Sequence, residues 1–297
     1  MIPIKRPGFC RLPFLIATAS VLLADGARSE VLLIPAESDA RIIHIAGAPS
    51  YQNSNYRDDI LSVYTAVGNV QRTFLRFDLS AAVPGNGMRL ASARLTLTAS
   101  TGFGGNPGGA SMEVWRVTQP WLESEVTWLR ASAATLWTTP GGDIAGGAHG
   151  PFAASTANPA DGTQISWDVT ELVDLWVEGI LPNHGLLMLS APGNGLTFRQ
   201  SEASQVGDLV TRPHLVVEHA PGVPRLKAEL GAGTGDAVLS WRDIGTAVLQ
   251  ERAAIAVPGD WTDSPIPVEA GAGRSVVQVG VSAAPRFFRL RPADGAP

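Results

Sequence analysis

The chain has 297 residues, a formal net charge of −5 and only 16% charged residues. An acidic chain without runs of Lys or Arg is a poor partner for nucleic acid or anionic lipid, which sets those two classes aside. Its 32 glycines and 22 prolines break up long helices, so the composition favours an all-β protein of many short strands.

At the start, Lys5, Arg6 and Arg11 precede a mostly apolar run from Leu12 to Ala24, followed by small residues at Ala24, Gly26 and Ala27. This is the layout of a secretory signal peptide over residues 1–27, cleaved between Ala24 and Ser29; an uncleaved anchor is the other reading. Removing residues 1–27 takes away three basic side chains and Asp25, so the charge falls from −5 to −7. The one cysteine, Cys10, leaves with it. The expectation is a secreted chain, extracellular or at the cell surface, with no membrane span after cleavage and no disulfides. Its stability then rests on core burial, with structural calcium as a further aid.

Ser38–Ile45 reads as a first strand, Tyr51–Asp59 as a polar loop and Ile60–Tyr64 as a short strand. Thr73–Leu79 alternates, with Leu75, Phe77 and Leu79 on the core face and Phe74, Arg76 and Asp78 outward. Pro84-Gly85-Asn86-Gly87 turns the chain into Ala93–Ala99, which sends Arg94, Thr96 and Thr98 outward. Gly102–Gly109 is a glycine-rich loop. In the next strand, Met112–Val117, Val114 and Val117 cannot share a face without a bulge.

Trp121-Leu122-Glu123-Ser124-Glu125-Val126-Thr127-Trp128 is too polar for a core strand and too aromatic for a surface loop. It reads as a packed corner plugging the end of a β-sandwich, each ring burying roughly 150–250 Å², while Glu123 and Glu125 cap backbone amides or face solvent. A glycosidase acid/base pair is the competing reading, but nothing nearby completes the set. Trp137 and Gly141-Gly142-Asp143 follow. Ile165–Thr170 is a strand, and Thr170 or Glu171 opens a helix over Leu172–Gly179, where Leu172, Val173 and Trp176 share a face. Leu186–Leu189, Leu196–Glu202 and His214–Glu218 complete a β-sandwich of jelly-roll type over residues 28–219. Residues 220–224 form a linker, and residues 225–297 a smaller β-sandwich.

Several motifs stand in fixed order: Phe74-Leu75-Arg76-Phe77-Asp78-Leu79, Ser92-Ala93-Arg94-Leu95-Thr96-Leu97, Trp121-x-Glu123-x-x-Val126-Thr127-Trp128 and Trp137 before Gly141-Gly142-Asp143. They continue with Trp167-x-Val169-Thr170, Leu172-Val173-x-x-Trp176, Asn183-x-Gly185-Leu186-Leu187, Phe198-x-x-Ser201-Glu202 and Arg212-Pro213-x-Leu215. Over Ser38–Glu218 this order resembles the DNRLRE-domain proteins, also described as carbohydrate-binding module family ninety-six. The resemblance implies a secreted jelly roll that binds polysaccharide, with acidic polymers such as alginate among its ligands. Leu239-Ser240-Trp241, Leu249-Gln250, Trp261 and Arg286-Phe287-Phe288-Arg289-Leu290 resemble fibronectin-type-III-like terminal domains of secreted bacterial proteins.

No nucleophile elbow, phosphate loop, His-Glu-x-x-His or cysteine metal pattern is present in the sequence. His44, His149, His184, His214 and His219 lack ligand spacing. Asp39, Asp58, Asp59 and Asp168 are the carboxylates available to calcium, although solvated loop carboxylates are the stronger explanation of them. Arg76, Arg94 and Arg199 fall on outward strand faces; on neighbouring strands they would form a basic strip whose guanidinium forks suit a uronate-rich polysaccharide. Cross-strand pairing with Asp78, Glu113, Asp168 or Glu202 is the alternative. Neutral glycans would stack on exposed rings, for which Tyr51, Tyr56, Tyr64 and Trp115 are placed. The leading expectation is a non-catalytic carbohydrate-binding protein, ahead of a structural or adhesive envelope protein and of a polysaccharide lyase or hydrolase.

Overall fold

The computed structural model describes residues 18–20, 29–57, 60–85, 87–100, 110–145, 152–156, 159–193, 195–198, 209–230, 236–243, 247–253, 261–271, 274–280 and 286–293. The expected signal peptide lies outside them except for β1 (Thr18–Ser20), which pairs antiparallel with Glu30–Leu32. Arg199, Asp58, Asp59 and the Gly102–Gly109 loop also lie outside the described residues.

The chain is all-β apart from short helices. The strand expected from Ser38, β2 (Glu30–Ile45), begins eight residues earlier. Pro35, which has no N–H to give a ladder, stands beside a register shift between Ala36 and Ser38. Upstream of the shift β2 pairs with β14 (His214–Pro221), and downstream with β4 (Asn69–Phe77), so one strand belongs to both sheets.

Between these lie helix α1 (Pro49–Asn53) and β3 (Leu61–Ala66). After β4 come β5 (Met88–Thr98), β6 (Ala110–Val117), the short β7 (Arg130–Ser132), β8 (Thr135–Leu136) and β9 (Ile144–Ala145), then β10 (Phe152–Thr156), β11 (Gln164–Asp168), helix α2 (Thr170–Val177), β12 (Leu186–Ser190) and β13 (Gly195–Phe198). Sheet A runs β2-β14-β5-β11 and sheet B runs β4-β12-β6-β10. That interleaving is the strand order of a jelly roll. Leu75, Phe77, Leu95, Leu97, Trp167, Leu186, Met188 and Phe198 fill the space between the sheets. The Asp168 carboxylate accepts the Thr170 N–H at 3.0 Å and its hydroxyl at 2.6 Å, which lowers the Asp168 pKa and starts α2 at Thr170, the first of the two expected openings. Leu172, Val173 and Trp176 then close one end of the core.

Sheet B is buried on both faces. Phe74, expected to point to solvent, is fully buried on the outer face with Ala40, Ile42 and Leu187. The same fact settles the phase of β6 without a bulge: Val114 joins the main core and Val117 the outer one.

Residues 227–292 form the second sandwich. β15 (Lys227–Leu230), β16 (Ala237–Arg242), β19 (Glu269–Gly271) and β20 (Arg274–Val279) make one sheet in the order β15-β16-β20-β19. β17 (Ala247–Arg252), β18 (Thr262–Asp263) and β21 (Phe287–Pro292) make the other. Leu239, Trp241, Leu249, Val277 and Val279 lie between them. The expected linker at 220–224 begins inside β14, whose Ala220 and Pro221 still pair with Arg89 and Met88. The connection is therefore residues 222–226.

Across that connection α2 presents carboxylates to arginines. Glu178, buried just beyond the helix, faces Arg242 Nε at 3.3 Å and Arg274 Nη1 at 3.8 Å. Arg274 also donates to the Glu178 carbonyl at 2.6 Å, and Arg225 reaches Glu171 and Asp174 at 3.6 and 3.5 Å. Burial pushes the Glu178 carboxyl above the usual range, and Arg242 opposes the shift. Replacing Arg242 by Ala is expected to loosen the docking and speed cleavage within residues 222–226 in limited proteolysis. Unchanged cleavage would show that the arginines do not hold the two sandwiches together. Among the described residues no helix is long and apolar enough to cross a membrane.

Candidate functional site

The outer face of sheet B is organised by register. Ser38 pairs with Arg76, Ala40 with Phe74 and Ile42 with Arg72, while Phe74 pairs with Leu187 and Leu187 with Trp115. Residues 118–145 lie over this face, so the tryptophan segment covers a sheet surface and does not plug an end. Trp121 packs on Phe74 with ring centroids 5.2 Å apart, and Trp137 stacks on Phe74 at 5.2 Å with the rings 3° from parallel. The Trp121 indole N–H donates to the His184 carbonyl at 2.8 Å and that of Trp137 to the Thr127 carbonyl at 3.0 Å. Glu123 accepts the Asp39 N–H at 2.8 Å and Glu125 the Ala133 N–H at 2.7 Å, so both carboxylates cap backbone amides.

Where this covering ends, a groove of about 500 Å³ opens, lined by Arg72, Thr118, Gln119, Thr138, Thr139, Gly142, Asp143 and Ile144. The volume is in the range of about 300–1,000 Å³ usual for ligand sites. Asp143 shapes its rim by accepting the N–H groups of Thr138 and Thr139 at 2.9 and 2.8 Å. Gly142 lets the loop approach, since a Cβ there would meet Leu187 and Phe74 at 2.8 Å.

The charge in the groove is Arg72. Its guanidinium lies over Trp128 at 4.9 Å from the ring centroid and donates to the Gly141 carbonyl at 2.7 Å. Among the described residues no carboxylate forms an ion pair with it, and its buried Nε has no hydrogen-bond partner. Burial lowers its pKa from the ordinary arginine value, although a guanidinium stays charged at neutral pH. A half-buried cation without an anion is costly, and a bound carboxylate with hydroxyl groups beside it would offset that cost.

The basic strip expected from sequence does not form. Arg76 is on sheet B and Arg94 on sheet A, with β2 and β14 between their strands. Arg76 is consumed as a fastener: Nε donates to Glu37 at 2.6 Å, Nη1 to the Trp121 carbonyl and Nη2 to Ser38, both at 3.0 Å, with the guanidinium 5.4 Å from the Trp121 ring. Arg94 is exposed and registers with Asp168. Trp115 is half-buried on the groove's sheet face, its indole N–H donating to Glu113 at 3.0 Å. The tyrosines lie elsewhere. Tyr51 is exposed on α1, Tyr56 lies under Arg41 at 5.2 Å, and Tyr64 registers with Gly195.

Calcium gains no assembled site among the described residues, where no cluster of three or more metal-ligating side chains occurs. Asp39 is buried in the part of β2 paired with β4, whereas Asp168 is on β11 of the other sheet and fastens α2. Arg72 was missed because the sequence put the start of the strand at Thr73. Extending the alternation by one residue places Arg72, Phe74 and Arg76 on one face. No family model matches the chain, and no curated protein matches it.

Proposed function

We propose that the protein is an exported, non-catalytic polysaccharide-binding protein, and that the groove on sheet B takes an acidic chain with a uronate carboxylate on Arg72. The observation that carries this reading is the guanidinium of Arg72, without an ion-paired carboxylate among the described residues, held on Trp128 in a groove whose other polar side chains are those of Thr118, Gln119, Thr138, Thr139 and Asp143. Pyranose hydroxyls match those side chains, and the carboxylate matches the fork. The motif order resembling the DNRLRE-domain family and the signal-like start support the same reading. Among the described residues, Asp143 is the one carboxylate lining the groove, and glycoside hydrolysis ordinarily uses a pair.

Affinity electrophoresis in gels containing alginate, polygalacturonate or a neutral glucan tests it. The wild-type chain is expected to be retarded by the acidic glycans, less so at high salt. Arg72→Met keeps the packing on Trp128 and removes the charge, and should weaken binding roughly 30-fold, equivalent to about 2 kcal/mol. Arg94→Ala should change little. Equal retardation of Arg72→Met would overturn the groove reading, absence of retardation by any glycan would favour a structural envelope protein, and shortened glycan chains would point to an enzyme.

A further inference from the structure

The second sandwich carries a cationic and aromatic face that the groove does not involve. In β21, Phe288 and Leu290 pack against the core, so alternation turns Phe287, Arg289 and Arg291 to the other side. Register sets Arg289 beside Gln250 and Gln250 beside Asp263, with Phe287 beside Arg252. Trp261 lies between two guanidinium groups, Arg289 at 4.5 Å and Arg252 at 5.3 Å from its ring centroid. Arg289 donates twice to the Gln250 amide oxygen, at 3.0 and 2.8 Å, and Arg291 grips Asp263 through two bonds of 3.0 and 2.8 Å. These arginines are thereby pre-oriented, which lowers the ordering cost of binding. Among the described residues, Arg252, Arg289 and Arg291 outnumber Asp263 on this face, in a chain of net charge −5.

We infer that this face of the β18-β17-β21 sheet is a second contact for an acidic polysaccharide, separate from the groove on sheet B. A ribbon of sugars presents apolar ring faces and carboxylates in alternation. Trp261 and Phe287 offer rings, and Arg252 and Arg289 offer charge, on one face of the sheet. One polymer chain, or two neighbouring chains of a gel, could then engage both sandwiches, and the clamp around Glu178 fixes their separation.

The test uses the full mature chain and polygalacturonate as the probe, read by biolayer interferometry on immobilised polymer at low and high salt. Arg252→Gln/Arg289→Gln removes both charges while leaving polar side chains, and near-ultraviolet circular dichroism checks that Trp241 and Trp261 keep their environments. The double variant is expected to bind roughly tenfold or more weakly than wild type, because two linked contacts exceed either alone. Arg72→Met should retain a weak, salt-sensitive residue of binding that disappears in the triple variant. Wild-type affinity in the folded double variant would overturn the second contact while leaving the groove intact. Loss in the double variant with no change in Arg72→Met would instead sustain this face and remove the groove. Absence of polygalacturonate binding by the wild-type chain would overturn both.

Discussion

Trp121→Ala is expected to destabilise the jelly roll by about 3–5 kcal/mol, as for other large-to-small changes at buried aromatic positions. The ring is almost fully buried, packs on Phe74 and is overlain by Arg76. Its loss would leave a cavity on sheet B, orphan the His184 carbonyl and strip Arg76 of its stacking surface. Urea unfolding followed by far-ultraviolet circular dichroism measures the change. Trp121→Phe should recover much of the loss, since it refills most of the volume without restoring the hydrogen bond. A loss below about 1 kcal/mol for Trp121→Ala would mean that residues 118–145 rest on the sheet without contributing to its stability.

The jelly roll was legible because its strands alternate cleanly. Leu75 and Phe77, or Leu95 and Leu97, announce one buried face each, and Leu172, Val173 and Trp176 announce the helix. What misled was the assumption that the opposite face meets water. Phe74 on the outward face, and Val117 out of phase with Val114, were together the sign of a second covered face. The groove was harder to read, because Arg72 acquires its surroundings from Trp128, Gly141 and Asp143, which are close only through the fold. Arg76 and Arg94 shared a local pattern, but strand order in the sheet is set by non-local pairing and separated them.

Gly185→Ala is expected to cost about 2–4 kcal/mol, combining left-handed backbone strain with overpacking. Gly185 has φ +85°, and a Cβ there would lie 2.3 Å from the Leu75 carbonyl oxygen and 3.2 Å from the Arg76 Cβ. Its N–H is held by the Asn183 side chain at 3.0 Å, and Asn183 in turn donates to the Phe77 carbonyl at 2.9 Å. The turn has little freedom to move away. Gly179→Ala provides the comparison: its φ is +66° with nothing within 4 Å of the added methyl, so it should lose only the conformational part, about 1–2 kcal/mol. Thermal unfolding of the two variants separates strain from collision, and equal losses would refute the collision.

The double membership of β2 also dictates the order in which the jelly roll can assemble. Its second half pairs with β4, which emerges soon after it, whereas its first half pairs with β14, the last strand of the same domain. A growing chain can zip up the β2–β4 ladder early, but Leu32 and Ile34 have no ladder partner in β14 until residue 214 onward is available. Closure of sheet A is therefore a late, long-range event of the kind that slows folding, and the unclosed intermediate exposes an apolar strand edge. A chain interrupted before His214 would carry a nearly complete sheet B beside a β2 whose first half lacks that partner, so aggregation of such fragments would begin at residues 31–34.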